Sequence, residues 1–133
     1  MDPLVETGQG RVRGAVEAGV SSFKGIRFAA PPVGELRMMP PHPVAEWSGV
    51  RDALEYGPKS AQPAYPAEVA VLLPELTGSG DDCLTLNVWT PDPSAEGLPV
   101  MVWIPGGMFE YHGTSASPWY DGSRFARDGV VCV

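Results

Sequence analysis

Short apolar runs separated by glycine and proline fill the first third of the chain. Leu4 to Thr7 and Arg11 to Val16 flank Gly8-Gln9-Gly10, and Arg11-Val12-Arg13 alternates polar with apolar. That is the period-2 pattern of a half-buried hairpin strand. Ser22 to Phe28 predicts a third strand, stopped at Ala30-Pro31-Pro32 because a residue preceding proline is pushed away from helix. Pro31 to Pro43 holds five prolines with no regular period and predicts an extended connector.

From Asp52 to Gly80 the pattern is weak, with one short helix predicted over Ala67 to Leu73 and ended by Pro74. Two β-rich runs follow, Leu84 to Thr90 and Pro99 to Ile104, joined by the turn-like Pro91 to Gly97. The second lacks polar alternation, which predicts a strand buried on both faces, as in the middle of an α/β sheet. Asp121 to Asp128 suits a short helix with Gly129 as its stop, and Val130 to Val133 opens another buried strand. A strand in that position needs a crossover and neighbours, so residues 1–133 read as a segment incomplete at its C-terminal end.

Composition narrows the classes of function. Nine Lys plus Arg against sixteen Asp plus Glu leave a net charge of −7, with no basic cluster. That argues against a nucleic-acid or anionic-membrane surface. Hydrophobic residues make up 44% of the chain, enough for one core. Thirty-one glycines and prolines are spread aperiodically and punctuate many turns and short strands. Val100 to Ile104 is too short to cross a bilayer. Met1-Asp2-Pro3-Leu4 lacks a signal peptide's features, and two cysteines are too few to staple a secreted domain. Cytoplasmic location is the expectation.

Complete catalytic constellations are missing. The chain has no G-x-S-x-G nucleophile elbow and neither common zinc pattern, so no metal or cofactor is expected. Gly8-Gln9-Gly10 lacks the third glycine of a dinucleotide fingerprint and precedes a strand. One segment carries a chemical suggestion, Pro105-Gly106-Gly107-Met108-Phe109, directly after a predicted buried strand. On these residues alone a plain turn is the first reading. The second is a backbone that approaches a ligand closely, with adjacent N–H groups that hold an oxyanion.

Longer blocks decide between them. Asp81-Asp82-Cys83-Leu84-Thr85-Leu86-Asn87-Val88-Trp89-Thr90-Pro91 matches throughout the E/D-D-C-L-x-L-N-V-W-x-P signature of the type-B carboxylesterase and cholinesterase-like family. Phe23 to Arg37 resembles that family's F-x-G-I-P-Y-A-x-P-P-x-G-x-L-R block, and Trp47 to Ala53 and Tyr56-Gly57-Pro58 follow in the expected order. The resemblance implies the N-terminal part of an α/β-hydrolase fold, a β ribbon plus the first strands of the central mixed sheet. It also implies ester hydrolysis through a serine acyl-enzyme, with a small ester as substrate of the full-length protein. By position, Gly107 and Met108 correspond to the two N–H donors of the family's oxyanion hole, and Gly106 shapes the turn. The triad residues of related enzymes come later in sequence, so this chain alone is expected to be inactive. A structural ion pair between Asp81 and Arg37 is implied as well.

Departures from the pattern open a second reading. Pro105 stands where the family has His, Met108 where it has Gly or Ala, and Glu110-Tyr111-His112-Gly113 is one residue longer than the usual spacing. Met108 still supplies an N–H, as any residue but proline does. Ser60 occupies the region where a partner for Cys83 is found in the family, so Cys83 and Cys132 are both expected reduced. His112 and His42 read as loop residues, Ser115 and Ser117 as loop hydrogen-bonding groups, and Trp89 and Trp103 as core. The alternatives to an esterase segment are a non-catalytic cholinesterase-like binding or adhesion protein, or a truncated gene product. In the last case an exposed edge on the terminal strand would promote self-association.

Overall fold

The computed structural model describes residues 2–72, 78–107 and 115–133. The hairpin forms as the alternation predicts: β1 (Leu4–Glu6) pairs antiparallel with β2 (Arg11–Arg13), with Val5 opposite Val12. The run does not continue to Val16 as one strand. It breaks at Gly14, where a Cβ would collide with the carbonyl oxygen of Ser22 and lie 2.7 Å from the Phe23 ring. The chain then turns into a second sheet as β3 (Ala15–Glu17), paired antiparallel with β4 (Val20–Arg27). Between these two strands Ala18 and Gly19 take φ of 48° and 79°, the left-handed pair of a tight hairpin turn.

The connector over residues 31–43 is irregular apart from one 3-10 turn, Gly34–Leu36. It leads to β5 (Val50–Asp52), which lies parallel to β2 and completes a three-stranded sheet of order β1-β2-β5. The helix expected over Ala67 to Leu73 is observed as α1, Ala67–Ala70. Leu73 and Pro74 lie outside the described residues.

The larger sheet has the order β3-β4-β6-β8-β7, with β6 (Thr85–Thr90), β7 (Val100–Met101) and β8 (Val131–Cys132). β6 is antiparallel to β4 and to β8, whereas β7 and β8 are parallel, so the sheet is mixed. Between β7 and β8 the chain passes through α2 (Ser123–Arg127), which ends with Gly129 at φ 87°, the left-handed stop expected there. The β4–β6 ladder contains a bulge. Phe23 faces Val88 and Ile26 faces Leu86, so β4 carries one residue more than its partner.

Two apolar clusters sandwich the β4–β6 pair. On one face Val12, Phe23 and Ala53 meet under the smaller sheet. On the other, Val20, Trp89, Ala126 and Cys132 meet under α2, with Tyr56 and Met101 at the margin. Ala126 is fully buried and Trp89 is 3% exposed. Gly122, at the start of α2, sits directly over the indole. A Cβ there would come 2.6 Å from Cys132 Sγ and 2.9 Å from Trp89 Cε3.

Three expectations need correction. The run Val100 to Ile104 is not buried on both faces: β7 is two residues long and forms the edge of the sheet, and Val102 and Ile104 are 65% and 83% exposed. Its one strand neighbour is β8, and while Met101 packs at the margin of the cluster under α2, Val102 and Ile104 are left outside both apolar clusters. Trp103 accordingly is half-exposed, its ring 6.0 Å from that of Tyr120. The terminal strand β8 is flanked by β6 and β7, so the free edge belongs to β7. Both cysteines are free thiols, as expected.

Two stability outcomes follow from the Trp89 cluster. Gly122→Ala should cost about 1–3 kcal/mol by overpacking. Gly8→Ala, where a Cβ meets nothing within 4 Å, should change stability by less than about 0.5 kcal/mol. Urea denaturation of the two variants checks the contrast. The Tyr56 phenol is pushed up to about 12 by burial and by the nearby Asp121 carboxylate. Its folded pKa is thus above that of an unfolded tyrosine, about 10. The neutral ring is the form the fold prefers, so stability is full below about pH 10 and declines towards pH 12. Tyr56→Phe should flatten that decline in urea midpoints measured between pH 9 and pH 11.

Candidate functional site

The Gly106-Gly107 segment emerges from the parallel β7–β8 ladder. The last rungs are the Val133 N–H donating to the Met101 carbonyl at 2.8 Å and the Trp103 N–H donating to the Val133 carbonyl at 2.7 Å. Beyond them Pro105 is half-buried and Gly106 is exposed, while Gly107 is half-buried at φ 152°. Side chains other than hydrogen rarely adopt that φ. At Gly106 a Cβ would meet nothing within 4 Å, so the demand for glycine is conformational and sits at Gly107. Met108 and His112 lie outside the described residues.

The chain is described again from Ser115, which is held by the central strand. Its hydroxyl lies 2.7 Å from Thr85 Oγ1, and its carbonyl accepts from Asn87 Nδ2 at 2.7 Å. Ser117 accepts from the Trp119 N–H at 3.2 Å and caps the 3-10 turn Pro118–Tyr120. Both serines are therefore hydrogen-bonding loop residues, Ser117 within its own turn and Ser115 across to β6. Thr85 and Asn87 are buried polar residues that sequence reasoning did not single out. The signal was present: they share the parity of Trp89 in Leu84-Thr85-Leu86-Asn87-Val88-Trp89, which puts all three on one face of β6.

A groove of about 500 Å³ opens beside these residues, with Phe28, Leu86, Trp103, Pro105, Ser115 and Tyr120 in its walls. Its lining is largely apolar, and both Pro105 and Ser115 border it, so the segment carrying Gly107 leaves and returns at one cavity. Cys132 forms part of the floor, its thiol pKa raised by burial and by Asp121. The shift keeps the thiol protonated at neutral pH, which makes it a poor nucleophile. Among the described residues no group of three His, Cys, Asp or Glu gathers to hold a metal ion.

The ion pair that ties the Asp81-Asp82-Cys83 segment to the sheet differs from the one implied. Arg37 and Asp81 are both exposed and, among the described residues, form no ion pair with each other. Arg27 instead donates from Nε to Asp82 Oδ2 at 2.5 Å and also places Nη2 against the same oxygen. The register explains the exchange. Arg27 ends β4 opposite Thr85, and the Phe28 N–H donates to the Leu84 carbonyl at 3.1 Å, so its guanidinium reaches residue 82. With both side chains about a third or more exposed, the pair contributes at most about 1 kcal/mol. It raises the Arg27 pKa through the Asp82 hydrogen bond.

Comparison with known proteins matches this arrangement to a family. The model for the Carboxylesterase family matches residues 1–133. The para-nitrobenzyl esterase of Bacillus subtilis (strain 168) is 44% identical over 130 residues, covering 98% of this chain and 26% of that protein. The fumonisin B1 esterase of Sphingopyxis macrogoltabida is 44% identical over 128 residues, covering 96% of this chain and 23% of that protein. A solved PNB esterase superposes with a TM-score of 0.87 at 42% identity, over 99% of this chain and 27% of its own. A Geobacillus stearothermophilus carboxylesterase gives 0.81 at 42% identity, over 97% of this chain and 25% of its own. The chain thus spans about a quarter of the length of these relatives, and its mixed sheet is the N-terminal part of their α/β-hydrolase fold. With its whole length matched, the chain belongs to the carboxylesterase family.

Proposed function

We propose that this chain supplies the oxyanion-hole loop of a carboxylic ester hydrolase acting through a serine acyl-enzyme. The observation that carries the reading is Gly107 at φ 152°, just beyond the β7–β8 ladder in a segment that borders an apolar groove, in a chain of the carboxylesterase family. In the reaction a serine hydroxyl passes its proton to a base, which later gives it to the leaving alcohol oxygen. The serine oxygen bonds to the ester carbonyl carbon, and the carbonyl electron pair moves onto the carbonyl oxygen. The N–H groups of Gly107 and Met108 donate to that oxygen as its charge grows. Collapse expels the alcohol and leaves an acyl-serine, which water then hydrolyses to the acid. The serine, its base and the supporting carboxylate belong to the part of the relatives' length that these 133 residues do not span.

The groove beside the loop suits an apolar acyl or alcohol portion, since Phe28, Leu86 and Trp103 contribute to it. Named relatives act on a para-nitrobenzyl ester and on fumonisin B1, which fits a small-ester or natural-product ester class. Without a nucleophile, the 133-residue chain hydrolyses no ester at a measurable rate.

A chimera tests the reading. Residues 1–130 of this chain, joined to the complementary part of the Bacillus subtilis para-nitrobenzyl esterase, should hydrolyse a short-chain para-nitrophenyl ester and lose that activity to a serine-directed phosphonate. In the same chimera Gly107→Ala keeps the N–H but strains the backbone at φ 152°, so the donor is displaced and kcat should fall by on the order of 10², with little change in KM. A folded chimera with no turnover, or a Gly107→Ala variant of parental kcat, would sink the assignment.

A further inference from the structure

We propose that Asn87 and Thr85 are positioning residues for the Gly106-Gly107 backbone, acting through Ser115; this deepens the oxyanion-hole reading and rests on it. Both sit on the face of β6 that also carries Trp89, at 7% and 6% exposure. An amide buried there costs free energy unless each polar group is paired. Asn87 has both groups paired: Oδ1 accepts from the Gly25 N–H at 2.9 Å, and Nδ2 donates to the Ser115 carbonyl at 2.7 Å. These partners also fix which way the amide points, because an N–H needs the oxygen and a carbonyl needs the nitrogen.

An aliphatic side chain would fill the same space without specifying a direction. Asn87 instead joins the bulge of β4 to the return of the segment that carries Gly107, and the Thr85–Ser115 hydroxyl contact holds that return at a second point. The two ends of the segment are held by different means. The outgoing end is held by the β7–β8 ladder through the Trp103 N–H. At the returning end, Ser115 is held by the side chains of Asn87 and Thr85. An oxyanion donor must stand about 2.7–3.1 Å from the developing charge. A displacement of that donor by about 1 Å costs on the order of 10² in rate, which sets the scale on which release of Ser115 is to be read in turnover.

The test uses two near-isosteric variants that each remove one bond, Asn87→Asp, which loses the Nδ2 donor, and Thr85→Val, which loses the hydroxyl. In the 133-residue chain, 15N relaxation should give Gly106 and Gly107 amide order parameters of about 0.85 in the parent and below about 0.6 in Asn87→Asp, with β4 and β6 unchanged. Thr85→Val, the milder change, should lower them in the same direction. In the chimera both variants should reduce kcat, Asn87→Asp by tenfold or more, with KM within twofold and the midpoint of urea unfolding still well above assay conditions. Parental order parameters at Gly106 and Gly107 in both folded variants overturn the proposal, as does a parent chain in which those amides are already mobile. Equal loss of kcat and rise of KM overturns it too. A folded parental chimera without turnover sinks the esterase reading instead, and the order parameters then decide the positioning claim alone.

Discussion

Burial of both faces of β6 is the constraint on which the rest depends. A six-residue strand in the middle of a sheet has to cover two sets of side chains with different partners. Val88 goes to the cluster under the small sheet, and Trp89 goes to the cluster under α2. The close seat of Gly122 over the indole fixes how near α2 can approach. That approach places β8 beside β6, with Cys132 opposite Trp89. β7 is then laid parallel against β8, and the Gly106-Gly107 segment starts from its end. The position of the loop is therefore set by packing several residues away from it.

The strands rich in alternation were legible from the sequence because their period is a direct image of one wet and one dry face. Arg11-Val12-Arg13 is of this kind; Thr85 to Thr90, covered on both faces, was legible from its β-rich composition instead, and the helix stop from the glycine at position 129. Val100 to Ile104 misled because an unbroken apolar run reports what a segment is suited to touch, not what this chain places against it. The break at Gly14 was hidden for a different reason: its cause is the carbonyl of Ser22 and the ring of Phe23, contacts that exist only once β4 has folded back. At the site, Gly107 was visible by its place after a strand, whereas the Arg27–Asp82 pair depends on register across β4 and β6.

Charged and neutral polar contacts play unequal parts. The ion pairs Arg13–Asp52 and Arg27–Asp82 lie on half-exposed surface, where water and salt compete with them. The neutral bonds of Thr85 and Asn87 lie in the interior, where a missing partner is expensive and each bond has one acceptable direction. Geometry near the groove is thus held by amides and hydroxyls, and the charges mainly dress the outside.

The bulge in β4 sets limits on how this stretch of chain can vary in length. Gly25 is the extra residue's permissive backbone, at φ 68° with its would-be Cβ 2.7 Å from the Glu55 carbonyl oxygen. Removing one residue there would restore a regular ladder with Ile26 still opposite Leu86 and Arg27 opposite Thr85, but it would take away the Gly25 N–H that donates to the buried Asn87 Oδ1. Insertions and deletions should therefore be purged from residues 23–27 among related genes. The Pro91 to Gly97 turn, exposed over most of its length and outside both apolar clusters, is where gains and losses of residues should accumulate instead.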